Sequence, residues 1–134
     1  MADSPIQVRA FDHVTLVVRD LDVSRRFYGD LIGMEEVPRP AFDFPGLWFK
    51  IGPTLVHLIG SHDQSGPPGF PDQVIRTSTR NHHMAFLVDD AAAVAKVLKE
   101  RQVPLVSDAK HRPDGAVQVF AHDPDGHVIE FCSE

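Results

Sequence analysis

Cysteine is nearly absent from this chain of 134 residues, and its scarcity excludes one route to stability. The single cysteine, Cys132, cannot form a disulfide within the chain, so folding depends on a buried core. A chain of this length buries roughly two-thirds of its unfolded surface, which is enough for one domain without cross-links. We therefore expect a single domain over residues 1–134.

An excess of positive charge and long apolar runs are also missing. The formal net charge of −6 and the isoelectric point near 5.7 argue against nucleic acid or an anionic membrane as a partner. No apolar run approaches the length that crosses a bilayer, and Met1-Ala-Asp-Ser-Pro lacks the basic, then apolar, pattern of a signal peptide. These absences favour a cytoplasmic protein that acts on small molecules.

What the chain does contain is an internal repeat. The run His13-Val-Thr-Leu-Val-Val-Arg-Asp returns as His83-Met-Ala-Phe-Leu-Val-Asp-Asp, 70 positions later, and an amphipathic stretch follows each copy. The run Leu55-Val-His57-Leu-Ile is echoed by Val128-Ile-Glu130-Phe-Cys, with 73 positions between His57 and Glu130. A duplication that places a metal-capable side chain at equivalent points of both copies indicates one shared site.

Each copy reads as a strand, a helix and three further strands. Asp20 is positioned as an N-cap, helical spacing of apolar residues predicts a helix over roughly 21–31, and Gly33 ends it. Alternation and turn signals then predict strands near 35–39, 47–51 and 54–59. The second copy repeats the order with strands near 83–88, 105–107, 116–121 and 128–132. The sequence thus predicts an α+β fold of two tandem βαβββ modules, over 10–60 and 81–134, with a linker loop over 61–80 between them.

Strand alternation decides which side chains share a face. In Leu47-Trp-Phe-Lys-Ile, we expect Leu47, Phe49 and Ile51 to face the helix, which leaves Trp48 and Lys50 on the opposite face. The same reasoning places on that opposite face the candidate metal ligands His13, His57, His83 and Glu130, and the candidate substrate-contacting residues Gln118 and Phe120.

Three imidazoles and a carboxylate suit one divalent ion such as Zn, Ni, Co, Mn or Fe. Such a set leaves one or two coordination positions for a substrate, and the ion can then act as a Lewis acid. A lone histidine in a strand is usually a packed residue, but equivalent placement in two copies favours ligation. By contrast, the histidines in loops and turns are expected to be solvated, namely His62, His111, His122 and His127.

Several motifs resemble those of the vicinal oxygen chelate superfamily, also called the glyoxalase, bleomycin-resistance and type I extradiol dioxygenase superfamily. They are Asp12-His13-Val with Ser24-x-x-Phe27-Tyr28 in the first half, and His82-His83 with Asp123-Pro-Asp-Gly-His-Val-Ile-Glu130 in the second. The stretch from Arg39 to Trp48 is similar to that of a glyoxalase-I-like branch.

The resemblance implies two modules that each curl into half a barrel, with helices on the outer face and a metal on the concave side. The metal positions fall on His13, His57, His83 and Glu130. The resemblance also implies a homodimer in which two subunits complete the site. Glyoxalase I has a carboxylate where His57 stands, so Glu130 is the expected catalytic carboxylate.

Three functions remain open at this stage. The first is a metal-dependent, glyoxalase-like lyase or isomerase whose substrate chelates the metal through adjacent oxygens. The second is an extradiol-type, ring-cleaving dioxygenase that uses iron with His13, His83 and Glu130. The third is a non-catalytic drug-binding protein, in which Trp48 and Phe120 form an apolar wall.

Overall fold

The chain folds into two sheets of four strands, and a helical element follows the first strand of each. The computed structural model describes residues 4–69, 72 and 77–134. The first module contains β1 (His13–Val18), α1 (Leu21–Arg25), a π-helical segment (Arg26–Leu31), β2 (Glu35–Val37), β3 (Gly46–Ile51) and β4 (Thr54–Gly60). The second contains β5 (Met84–Leu87), α2 (Ala91–Glu100), β6 (Leu105–His111), β7 (Val117–His122) and β8 (Val128–Ser133).

Both sheets have the same topology, with strand orders β1-β4-β3-β2 and β5-β8-β7-β6. In each module the first strand pairs in parallel with the last, and the other neighbours pair antiparallel. The predicted α+β class and the repeated βαβββ order are therefore confirmed. Among the described residues the two sheets do not join into a closed barrel.

The first helix departs from the sequence expectation. Asp20 caps it as predicted, since its carboxylate accepts hydrogen bonds from the backbone N–H groups of Asp22 and Val23. The predicted single α-helix, however, widens after Arg25 into a π-helical segment, and the N–H of Ile32 bonds to the carbonyl of Phe27. The wider turn lets two consecutive large rings, Phe27 and Tyr28, both lie in the core.

Strand β6 extends beyond the predicted residues 105–107. Register shifts between Leu105 and Ser107 and between Ser107 and Lys110 interrupt the alternation of apolar and polar residues, so its full length could not be predicted from the sequence. Ile51, expected to face the helix, is exposed at the end of β3. In the part of the chain that the structure describes, no helix is long and apolar enough to span a bilayer.

The two modules share one apolar boundary. One core cluster centres on Val18, Tyr28, Phe49 and Leu58, and the other centres on α2 and the inner face of β7 and β8. Both clusters contact a common set of partly buried side chains, namely Leu31, Ile32, Met84, Phe86 and Val103. Burial of this shared set holds the modules against each other.

A buried polar network crosses the same boundary, and we call it the junction network. The Tyr28 hydroxyl donates to Asp123 Oδ2 at 2.7 Å, and the other oxygen, Oδ1, accepts from the backbone N–H groups of Asp125 and His127. His127 Nε2 in turn donates to the carbonyl of Val17 at 2.8 Å. Burial is the main cause that raises the pKa of both Tyr28 and Asp123.

The expectation that His127 is solvated is therefore wrong. Its turn, between β7 and β8, packs beneath the end of β1, where Arg19 N–H also donates to Asp125 at 2.8 Å. A turn can be recognised from sequence, but the surface that covers it belongs to the other module.

A candidate metal centre divided between two half-sites

The uncovered face of the first sheet carries the first group of candidate ligands. Strand register places Thr15, His57 and Trp48 in one row across β1, β4 and β3, and His13, Leu55 and Lys50 in the next row. We refer to His13, His57 and Trp48 as the first half-site.

Three rings stack in this half-site. The His57 ring lies 4.1 Å from the Trp48 ring with an interplanar angle of 1°, and 3.9 Å from the His13 ring at 14°. His57 Nε2 is buried without a hydrogen-bond partner in the described structure. Burial, and then the proximity of His13, lower the pKa of His57. Its imidazole is therefore held in the neutral form that metals bind.

His13 has its orientation fixed by a neighbour. Its Nδ1 lies 2.7 Å from Asp12 Oδ2, and because a carboxylate accepts, Nδ1 carries the proton. In the neutral ring the free lone pair is then on Nε2. A carboxylate that holds one ring nitrogen while the other remains available is the usual outer support of a metal-binding histidine.

The second half-site consists of His83, Glu130, Gln118 and Phe120. Register places Ala85, Glu130 and Phe120 in one row across β5, β8 and β7. The Glu130 side chain is only 6% exposed, and Gln118 Nε2 donates to its Oε2 at 3.0 Å. The His83 ring meets the Phe120 ring edge-on at 5.3 Å.

The hydrogen bonds of His83 leave one nitrogen facing the carboxylate. Nδ1 donates to the carbonyl of Asn81 at 2.7 Å, and Nε2 lies 3.0 Å from Glu130 Oε1. With Nδ1 protonated, a neutral ring turns a lone pair toward the carboxylate oxygen, whereas an imidazolium donates from Nε2 and forms an ion pair with it.

A divalent ion would also satisfy both atoms. Nitrogen and oxygen ligands about 2.0–2.2 Å from a metal, at a right angle to each other, are themselves about 3 Å apart. The separation of His83 Nε2 and Glu130 Oε1 is 3.0 Å. The donor types and the spacing of this half-site therefore fit a divalent metal.

One chain does not gather all four donors. Within residues 4–69, 72 and 77–134, no three His, Cys, Asp or Glu side chains are grouped so that they could hold an ion. The structure brings Trp48 to His13 and His57, and Gln118 and Phe120 to His83 and Glu130. Lys50 is exposed on the same face as His13, with Leu55 between them.

The stack also limits how the first half-site could bind an ion. Nitrogen lone pairs lie in the ring plane, and the planes of His13 and His57 are nearly parallel at 3.9 Å. In this arrangement their lone pairs do not converge on one ion. His57 becomes a ligand only if its ring leaves the stack.

Sequence reasoning missed two outer supports. The Asn81 carbonyl is a backbone group, so no residue type signals it, whereas Asp12 adjoins His13 and could have been found as a carboxylate next to a candidate ligand. Cys132, two residues after Glu130, is half-buried, and burial, followed by the charge of Glu130, raises the pKa of its thiol. The neutral thiol is therefore favoured over the thiolate when no metal is bound.

Two βαβββ modules with histidine and carboxylate donors on their open faces define a class of paired-module proteins. Residues 10–131 match the family model described as Glyoxalase/Bleomycin resistance protein/Dioxygenase superfamily, and the chain belongs to that superfamily.

Relatives within the superfamily carry several different names. Glyoxylase I 4 of Arabidopsis thaliana is 30% identical, over 98% of this chain and 75% of the relative. The mitochondrial methylmalonyl-CoA epimerase of Mus musculus is also 30% identical, over 95% of this chain and 75% of the epimerase. The crystal structure of a glyoxalase/dioxygenase from Nostoc punctiforme superposes with a TM-score of 0.72 at 27% identity, over 98% of this chain and 94% of that one.

Proposed function

We propose that this protein is a metal-dependent, glyoxalase-like lyase or isomerase that acts on a small substrate with adjacent oxygen atoms. The observation that carries the proposal is the pair His83 and Glu130, whose Nε2 and Oε1 atoms lie 3.0 Å apart. That separation suits a divalent ion that both atoms bind at once.

The proposed ligands are His13, His83 and Glu130, and His57 joins them only after leaving its stack. Since one chain separates the two half-sites, we propose that a second copy completes each centre in a homodimer. Exposed apolar side chains support such an association, with Phe11 69% and Leu87 71% exposed along a cleft of about 1140 Å³ between the modules.

Glu130 is the proposed proton carrier. When bound, a divalent ion at this site would polarise a substrate carbonyl and lower the barrier to removal of the neighbouring C–H proton. Gln118 holds Glu130 Oε2, and the near-complete burial of this carboxylate keeps water away from it. An oxygen fixed in this way can take a proton from one carbon and return it to the adjacent one.

Elemental analysis of the purified protein tests the metal site. We expect about one divalent ion per chain in the unchanged protein and near-complete loss in Glu130→Gln and His83→Ala. Glu134→Gln is the matched control, because it removes the same charge from an exposed position near the end of the chain. Metal that persists in Glu130→Gln at the level of the control would refute the proposal.

The glutathione-dependent form of the reaction has its own test. Lactoylglutathione formation below background in the metal-loaded protein would remove that form and leave isomerisation of another substrate. Because an imidazole stands where glyoxalase I has a carboxylate, we expect this activity to be weak, and a panel of 2-oxo and 2-hydroxy compounds then identifies the substrate.

The stack of His57 favours a second candidate, an extradiol-type dioxygenase. If His57 stays between Trp48 and His13, the ligands reduce to two histidines and one carboxylate, the set that non-haem iron oxygenases use. Oxygen uptake with a catechol, restored after chelation by ferrous iron alone, would select this function. A protein without metal, and with ligand affinity unchanged in His13→Ala, would instead be a binding protein.

A further inference from the structure

The loop between β2 and β3, residues 38–45, holds an arginine against two aromatic rings. The guanidinium carbon of Arg39 lies 4.8 Å from the centre of the Phe42 ring and 4.9 Å from that of Phe44. Its Nη2 donates to the carbonyl of Phe44 at 3.0 Å. The charged group is thus fixed by stacking on both rings and by one hydrogen bond.

A glycine provides the space for this arrangement. A Cβ atom at Gly46 would lie 2.8 Å from Arg39 Nε and 2.5 Å from the carbonyl oxygen of Leu58, both too close for a real contact. Arg39, the two phenylalanines and Gly46 therefore form one local structure, which we call the arginine cage.

Within the described ranges, the charge in the cage has no acidic partner at ion-pair distance. Arg25 pairs with Asp22 and Glu36, and Arg112 pairs with Asp114. No carboxylate in the described part of the chain, including Asp43 of the same loop, lies within ion-pair distance of Arg39. Most of its five N–H donors remain available to a ligand.

The cage is continuous with the first half-site. The Phe42 ring lies 6.4 Å from the Trp48 ring, and Trp48 stacks on His57. Phe42 is 48% exposed, which is high for so large an apolar side chain. An aromatic surface therefore runs from the candidate metal ligands to a half-buried, unpaired cation.

We propose that the arginine cage recognises a carboxylate on the substrate, and that the carbon skeleton of the substrate lies along Phe42 and Trp48. A planar guanidinium binds a carboxylate through two parallel hydrogen bonds, and the exposed rings cover apolar carbon. The substrate class is thus an organic acid whose anionic end is remote from the reacting carbons. The inference rests on the proposed function only in treating this surface as a wall of the substrate site.

The test uses the whole chain of 134 residues without metal, in the presence of a chelator. Trp48 is the one tryptophan of the chain, so its fluorescence reports binding beside the cage. The probes are 3-phenylpropanoate and its neutral analogue 3-phenylpropanamide. We expect the carboxylate to bind about tenfold more tightly than the amide, Arg39→Gln to abolish the difference and Arg39→Lys to keep part of it.

Equal affinity for the two probes in the unchanged protein would overturn the inference without any variant. A preference for the carboxylate that survives in Arg39→Gln, with its fold checked by thermal melting, would also overturn it. Lys50→Gln tests the competing cation on the same sheet face. A preference lost in Lys50→Gln and retained in Arg39→Gln would assign recognition to Lys50 instead.

The outcome is separable from that of the proposed function. A protein that binds no metal but prefers the carboxylate would refute the proposed reaction and support the cage. A protein that binds metal and shows no preference for the carboxylate would support the proposed metal site and refute carboxylate recognition by the cage.

Discussion

Two polar regions of this molecule, the buried junction network and the half-sites with their exposed residues His13 and His83, differ in burial and in the hydrogen bonds of their polar groups. In the junction network, both oxygens of Asp123 accept hydrogen bonds, and the Tyr28 hydroxyl has an acceptor. In the half-sites, His57 Nε2 has no hydrogen-bond partner, and His83 Nε2 faces a carboxylate oxygen.

This difference in hydrogen bonding suggests a structural role for the junction network and a ligand-binding role for the half-sites. A buried group whose hydrogen bonds are satisfied stabilises the fold, whereas one without them is costly unless a ligand satisfies it. On this basis we assign the junction network to holding the modules together, and we propose that the half-sites bind an ion and a substrate. Variants in the two regions should therefore affect different measurements.

The largest effect on stability is expected for Asp123→Ala. It leaves the Tyr28 hydroxyl and the N–H groups of Asp125 and His127 without their acceptor in a buried region, so we expect the free energy of unfolding to fall by about 3 kcal/mol. Urea denaturation measures it. Asp123→Asn, which keeps one acceptor oxygen, should lose less. If the two variants were equally stable, the junction network would not contribute as described.

Asp12→Ala should show the opposite pattern, because alanine removes the acceptor of His13 Nδ1 that asparagine would keep. Asp12 is 85% exposed, so its loss should change the free energy of unfolding by less than about 0.5 kcal/mol. It orients His13, however, and loss of such a support weakens metal binding by about 10- to 100-fold. Competition with a chromogenic chelator measures the affinity, and unchanged affinity would remove His13 from the ligand set.

Tyr28→Phe should have a smaller effect on stability than Asp123→Ala. It removes one donor from Asp123 and keeps the ring, so we expect a loss of about 1 kcal/mol and unchanged metal content. Calorimetric melting, with elemental analysis of the same sample, measures both. Loss of metal in this variant would show that the two regions are coupled.

The smallest effect is expected for His57→Phe. A phenyl ring retains the stack with Trp48 and His13 but removes both nitrogens, so metal content should stay within about twofold of the unchanged protein. His57→Ala is the control that removes the stack as well. Metal lost equally in both variants would make His57 a ligand.

The sequence predicted the parts of this molecule that local pattern determines. The repeat predicted both modules, Asp20 was identified as a cap, and alternation placed His57 and Trp48 on one face. Each of these follows from side-chain periodicity along a single element.

What could not be predicted depends on contacts between distant segments. The burial of His127 arises from packing against β1 of the other module, and the orientation of His83 comes from a backbone carbonyl. The arginine cage joins Arg39 to Gly46 through the space that the glycine leaves. The separation of the half-sites is likewise a property of how the modules pack.

Mixing two defective variants tests most directly whether two copies share each metal centre. His13→Ala and Glu130→Gln each lack a proposed ligand, so neither alone should bind metal fully. In a shared site, subunit exchange produces mixed dimers that contain one intact centre, and an equal mixture should regain about one quarter of the metal sites. If no metal binding is regained after subunit exchange has been verified, two copies do not share each centre. A centre built within one chain would still lack the ligand removed from that chain.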